Sequence, residues 1–195
     1  MKRLFIAIDV DEPVRRAIGL MASEASRALR RVSWVRPDRM HLTLFFFGRA
    51  DEPIEQRLLG ALAEPVPHAP FELSLDGFGL FPSAGTPRVL WLGVRDGLAD
   101  LLRVHGTLAR RLTLTEAFTP HLTLGRFRSS PHAQGVLRRL SHIHASAGPC
   151  RIDRVTLYDS RLTHAGPAYV PLAEALLANG PAKAGHYESG VERPG

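Results

Sequence analysis

The 195-residue chain holds a single cysteine, Cys150. That excludes an internal disulfide and any multi-cysteine zinc or iron–sulfur centre, and it fits a reducing, cytoplasmic setting. Lysine is nearly as scarce: Lys2 and Lys183 are the only two, so 23 of the 25 basic side chains are arginine. No apolar run approaches the roughly 18 residues that a membrane span needs, so no membrane role is expected. A G-x-G-x-x-G or Walker-type phosphate loop is also missing. The apolar run near the N-terminus reaches Asp9 and Asp11 at once, unlike a secretory leader, and reads as mature protein.

What remains is ordinary globular composition, 45% apolar and 23% charged, with a formal net charge of +6. The length suits one domain with two lobes and a core that needs no covalent staple. Arginine's planar fork grips phosphate in a bidentate manner, so its excess fits an anionic partner; a GC-rich genome gives the same bias, and charge does not separate the two.

Along the chain, Lys2–Ile8 reads as a strand. Asp11 caps a following helix to about Arg31, with Val14, Ile18, Met21 and Ala25 on one face. Arg36-Pro37-Asp38 is a turn, Met40–Phe47 a strand ended by Gly48, and Pro53 opens a helix to about Glu64. Pro65, Pro67 and Pro70 make a stiff linker. Phe71–Phe81 and Arg88–Val94 read as paired strands, Gly97–Leu112 as a helix, Phe118–Phe127 as a strand and Pro131–Leu140 as a short helix. Arg151–Asp159 and Ala168–Leu172 close the order. Residues 179–195 are rich in Gly and Pro, without periodicity, and are expected to form a disordered tail after one domain spanning 1–178. Hairpin-like strand pairs among helices indicate α+β with antiparallel sheets.

One feature is more specific. His41-Leu42-Thr43-Leu44 recurs, eighty positions later, as His121-Leu122-Thr123-Leu124. On a strand, residues i and i+2 share a face. Each copy therefore sets an imidazole beside a hydroxyl and sends its leucines to the other face. If the copies are related by a pseudo-twofold, two imidazoles and two hydroxyls meet in one cleft. Histidine titrates near neutrality, so one ring can act as base while the other acts as acid. Threonine hydroxyls donate to phosphate oxygens without adding charge. The set fits in-line displacement at phosphorus and needs no cofactor. A zinc site would require a third ligand, and no Asp, Glu or Cys recurs beside both copies.

Phe5, Phe45, Phe47 and Phe127 share strand parity with these positions; Phe5, Phe45 and Phe127 are taken as candidates for stacking on a base. Arg36, Arg39 and Arg128 are candidate phosphate contacts near the motifs. His68, His105, His132, His142, His144, His164 and His186 lack the paired context and read as structural or surface residues, and Cys150 as an inert strand residue.

With its doubled His-x-Thr motif the sequence resembles the 2H phosphoesterase superfamily, and within it the RNA 2′,3′-cyclic phosphodiesterases, also described as 2′-5′ RNA ligases. The supporting segments are Arg3–Ile8, Trp34–Leu44, Phe78–Pro82, Arg88–Val94, Phe118–Arg126 and Leu157–Leu162. The resemblance implies a bilobal, LigT-like α+β fold, with two pseudo-symmetric antiparallel sheets, helices outside and a central cleft. It implies metal-independent hydrolysis of RNA 2′,3′-cyclic phosphate ends to 2′-phosphomonoesters, with weak reverse 2′-5′ joining. The partner would be such an RNA end or a small cyclic nucleotide, and the chain is expected to be a monomer. His41 would be the proton donor and His121 the proton acceptor, an assignment the residues alone leave open. Thr43, Thr123 and Arg126 would hold the phosphate. Arg126 stands at an odd offset from His121, so strict alternation points it away; a bulge near Gly125 is needed to turn it inward. Two alternatives stand beside this reading. One is a relative acting on another cyclic nucleotide or a 2′-5′ oligonucleotide. The other is a nucleotide or RNA-end binding module without turnover.

Overall fold

Two Asp-Glu-Pro triplets open the first two helices of this computed structural model, which describes residues 1–129, 131–164 and 166–179. Asp11 caps α1 (Glu12–Ala28), its Oδ1 accepting the Val14 N–H at 3.0 Å. Asp51 caps α2 (Glu52–Leu62) by accepting the Ile54 N–H at 3.1 Å. In both, the proline falls in the first turn, where no intrahelical bond is lost to it. α1 buries Val14, Ile18, Met21, Ala22 and Ala25 along one stripe. α3 (Leu98–Leu112) and α4 (Ala133–Leu140) follow the same rule, burying Leu101, Val104, Leu108 and Leu112 on one and Ala133, Val136 and Leu140 on the other.

Ten strands complete the molecule: β1 (Lys2–Asp9), β2 (Val32–Trp34), β3 (His41–Ala50), β4 (Val66–Pro67), β5 (Phe71–Phe81), β6 (Val89–Val94), β7 (His121–Phe127), β8 (Ser146–Ile152), β9 (Arg154–Thr163) and β10 (Gly166–Ala178). Their order is β4-β10-β9-β1-β3-β7-β6-β5-β8, with β2 paired to β7 off this path. Every pairing is antiparallel except that of the short β4 with β10. Beyond the two-residue β4 at one end, the path divides into two four-stranded halves, β10-β9-β1-β3 and β7-β6-β5-β8. They join at one residue pair, Leu42 with Leu122.

The halves repeat a strand–helix–strand unit, β1–α1–β3 in the first and β6–α3–β7 in the second. Each helix crosses to the other half: α1 packs on β8, and α3 on α2 and β4. Leucines of both motifs enter the core on the helix side, where Leu42, Leu122 and Leu124 are fully buried and Leu44 nearly so. This is the expected α+β, two-lobed arrangement with helices outside.

Several boundaries differ from the sequence reading. α1 stops at Ala28 rather than near Arg31. β3 continues past Gly48 to Ala50, because glycine takes a φ of +63° without a Cβ penalty and the strand kinks instead of ending. The proline linker contributes β4. Arg151 and Ile152 belong to β8, a separate strand before β9; Gly148 and Pro149 hide it from a periodicity search, and its place at a sheet edge tolerates both. β2 was too short to show a period. The tail assigned to 179–195 lies, after Asn179, outside the described residues. Among the described residues, no helix is long and apolar enough to cross a membrane.

Candidate active site

The Leu42–Leu122 pair sets the geometry of everything around it. Neighbours of an opposed antiparallel pair oppose one another in turn. His41 therefore comes opposite Thr123, and Thr43 opposite His121. All four side chains point away from the leucine face. Two imidazoles and two hydroxyls thus occupy alternate corners of a four-sided patch on the seam between the halves.

Both rings are oriented alike. Nδ1–H of His41 donates to the Arg39 carbonyl at 2.9 Å, and Nδ1–H of His121 donates to the Thr119 carbonyl at 2.7 Å. A carbonyl oxygen only accepts, so each bond keeps a proton on Nδ1 and leaves Nε2 for chemistry. The surroundings differ. Nε2 of His41 lies 3.1 Å from the Thr43 hydroxyl. Phe5 stacks on the His41 ring at 4.9 Å, and Tyr169 meets it edge-on at 5.2 Å. Behind Phe5 stands Tyr158, whose hydroxyl donates to Asp9 at 2.6 Å. Burial pushes the His41 pKa below the usual histidine value, the Arg39 carbonyl bond opposes this, and among smaller charge effects Asp9 raises it while Arg15 and His121 lower it. His121 meets Phe81 edge-on at 4.9 Å and Trp91 at 6.0 Å. Trp91 lies flat over Gly79, where a Cβ would fall 2.2 Å from the indole, so only glycine leaves room for it.

Each motif also carries the same irregularity. Pairing steps from Ala7–Thr43 to Ile6–Phe45, leaving Leu44 without a partner, and from Trp91–Thr123 to Leu90–Gly125, leaving Leu124 without one. An extra residue resets the side-chain alternation beyond it. Phe46 and Arg126, each five residues past its histidine, consequently line the cleft. The bulge that Arg126 required is present at Leu124.

The cleft has a volume of about 290 Å³. His41, Thr43, Thr123 and Arg126 line its centre, with Arg39, Arg3, Phe46 and Tyr169 toward the first half. His121 borders it rather than lining it. Phe46 is 55% exposed, with the Arg3 guanidinium 5.2 Å from its ring centroid.

Three aromatic placements correct the sequence expectation. Phe45 lies on the core side, 4% exposed and stacked on His105 at 4.3 Å, because the Leu44 bulge reverses the parity assumed for it. Phe5 does line the cleft, but at 3% exposure, stacked between His41 and Tyr158, it has both ring faces covered. Phe127 packs against the core and lines a different cavity. Sequence reasoning missed Phe46, Arg3 and Tyr169. A bulge leaves no mark on periodicity, and Arg3 and Tyr169 reach the cleft only through the order of β1, β9 and β10. Of the three candidate arginines, Arg39 lines the cleft; Arg36 pairs with Asp38 at 3.0 Å, and Arg128 donates to Ser33 at 3.1 Å.

The other histidines lie elsewhere. His105 is sandwiched between Phe45 and Phe118, and burial lowers its pKa. His68 sits 3.3 Å from Asp100. His132, His142, His144 and His164 are exposed, and His186 falls outside the described residues. Cys150 is buried on β8, accepts the Asp11 N–H at 3.2 Å, and has its thiol pushed up to about 11, chiefly by burial.

Comparison with known proteins gives a consistent result. A family model described as the 2′-5′ RNA ligase superfamily matches residues 14–163. An RNA 2′,3′-cyclic phosphodiesterase of Archaeoglobus fulgidus is 34% identical over 87% of this chain and 97% of its own. One from Thermotoga maritima is 33% identical over 91% and 97%. Among solved structures, E. coli LigT complexed with phosphate superposes with a TM-score of 0.68 at 27% identity, covering 90% of this chain and 97% of that one.

Proposed function

The chain belongs to the 2′-5′ RNA ligase superfamily, and from that premise we propose that it hydrolyses RNA 2′,3′-cyclic phosphate ends to 2′-phosphomonoesters with two histidines as acid and base. The carrying observation is the Leu42–Leu122 pair, which sets both His-x-Thr motifs on one face of the sheet. The relatives named RNA 2′,3′-cyclic phosphodiesterase support the substrate class.

In this reading Nε2 of one histidine takes a proton from water as the water oxygen attacks phosphorus. The P–O3′ bond breaks in line, and Nε2–H of the other histidine protonates the departing O3′. Thr43, Thr123 and Arg126 hold the non-bridging oxygens, whose charge grows as the five-coordinate state forms. With a 5′-hydroxyl as nucleophile in place of water, the same groups break P–O3′, protonate O3′ and join RNA through a 2′-5′ bond, and abundant water keeps that outcome weak. The exposed face of Phe46 accepts the base, with Arg3 beside it.

The family resemblance makes His41 the acid and His121 the base. A second assignment reverses the roles, and a specific observation favours it: burial disfavours the charged His41 ring, and the Thr43 hydroxyl is placed to donate to its Nε2. pH separates the two. As base, His41 must be neutral, so kcat/KM holds to a lower pH than an ordinary histidine allows. As acid, it must be protonated in the free enzyme, so kcat/KM falls as pH rises through its lowered pKa. An entering phosphate anion pulls that pKa back up.

The primary test is incubation of a short RNA with a 2′,3′-cyclic end in EDTA, identifying the position of the product phosphate. A 2′-phosphate is expected. A 3′-phosphate, or an intact cyclic end beside turnover of a 2′-5′ oligonucleotide, would replace the reading with another member of the same chemistry. Stoichiometric binding without product would favour a binding module.

A further inference from the structure

A second cavity lies where the C-terminal end of α1, β2, the end of β7 and α4 meet, with a volume of about 840 Å³. Its apolar surface comes from Leu29, Val32, Phe127 and Val136. Arg30, Arg31 and Arg139 also line it, and all three are exposed. No carboxylate lines it, and none pairs with any of the three among the described residues. Among the described residues the trio's side chains make one hydrogen bond, a long one from Arg139 to the Ala28 carbonyl at 3.5 Å. Arg31 is held in place by its backbone: it takes the left-handed region at φ +59°, and its carbonyl accepts the Arg128 N–H at 2.8 Å. A non-glycine residue in that region is costly unless the surroundings fix it.

The position of this cavity matters as much as its charge. β7 carries His121 and Thr123 at one end and Phe127 at the other. Phe127 lies four positions past Thr123, about 13 Å along the strand. Between them Arg126 faces the cleft, and just past the strand end exposed Arg128 gives its N–H to the Arg31 carbonyl. Arg126, Arg128 and Arg31 therefore mark a backbone path from the cleft along β7 to the cavity. Repeated cations beside flat apolar surface match the repeated phosphates and bases of a single strand.

We propose that this cavity is a second RNA site, binding nucleotides 5′ of the cyclic end while the cleft holds the end itself. The proposal rests on the cleft being the place where a cyclic RNA end reacts. It commits to single-stranded RNA on charge complementarity and on the path along β7.

The test is a triple variant, Arg30→Gln, Arg31→Asn and Arg139→Gln. Asparagine is chosen at 31 because it tolerates a positive φ. Two substrates are compared, a nucleoside 2′,3′-cyclic monophosphate and an octaribonucleotide with a cyclic end. Binding of an uncyclised RNA octamer is measured separately by fluorescence anisotropy across a salt series. The mononucleotide should be turned over as by the unaltered protein. For the octamer, KM should rise about tenfold or more, and the salt slope of log affinity should fall by about 2, three lost contacts at roughly 0.7 each. Equal octamer affinity in variant and parent overturns the proposal. So does an equal loss on the mononucleotide, which would mark a structural role. An equal loss of poly-glutamate binding would mark a general cationic surface and overturn the RNA assignment. Absence of mononucleotide turnover by the parent would instead refute the reading of the cleft, and the anisotropy series would still decide the cavity.

Discussion

The two halves of the molecule share a backbone plan and differ in what they hang on it. Each presents the same tetrapeptide, orients its histidine by the carbonyl two residues earlier, and bulges at the closing leucine. Beyond the bulge the plan diverges. The first half turns Phe46 into the cleft and the second turns Arg126. Behind the histidines, one side has Phe5, Tyr158 and Tyr169 and the other Phe81 and Trp91. The proposed chemistry accounts for this: proton transfer on both sides of one phosphorus atom needs matched groups at the seam, whereas a nucleotide with a base on one side and a phosphate on the other needs unlike flanks.

Removing either histidine attacks the symmetric part and should have the largest effect. His41→Ala and His121→Ala should each lower kcat/KM by about 10²–10⁴-fold, the usual worth of one proton-transfer partner. A substrate with sulfur at the departing 3′ position then breaks the symmetry. A thiolate leaves without much help from an acid, so the variant lacking the acid should recover most of its rate. The variant lacking the base should not. Equal recovery in both would show that the two rings do not divide the labour.

The asymmetric positions should matter less, and in different ways. Arg126→Ala removes charge-assisted hydrogen bonds worth about 1.5–3 kcal/mol, a loss of roughly 10- to 150-fold in kcat/KM on every cyclic substrate. Phe46→Ala removes one face of stacking, about 1 kcal/mol at the low end for a base on an aromatic ring. That loss should fall on KM and vanish with an abasic ribose 2′,3′-cyclic phosphate. A Phe46→Ala effect that persists on the abasic substrate would show that the first flank does not read the base.

The symmetric part of this design was legible in the sequence and the asymmetric part was not. A repeated tetrapeptide is visible by inspection, and strand alternation places His41, Thr43, His121 and Thr123 correctly on one face. The same alternation fails one residue later. It selects Phe45 for the cleft and would turn Arg126 away, because a single unpaired leucine leaves no trace in the pattern of apolar residues. Phe5 was located near the site but not its role, since only the packed structure shows it closed in between two rings. β8 was hidden by Gly148 and Pro149, and with it the surface against which α1 packs.

The smallest effect concerns what lies behind the bulge. In the first half the residue after it is Phe45, stacked on His105; in the second it is Gly125, where a Cβ would come within 2.6 Å of Val32 on β2. One half is backed by an aromatic sandwich containing a titratable ring and the other by a close strand contact. Burial lowers the His105 pKa, so the folded protein binds fewer protons there than the unfolded chain. Its contribution is present above the unfolded value near 6.5 and is lost as pH falls through the lowered folded value. His105→Phe should therefore lose less Tm than the parent between pH 7.5 and pH 5, whatever its Tm at neutrality. Identical acid slopes for the two proteins would mean that the sandwich accepts the charged ring as readily as solvent does.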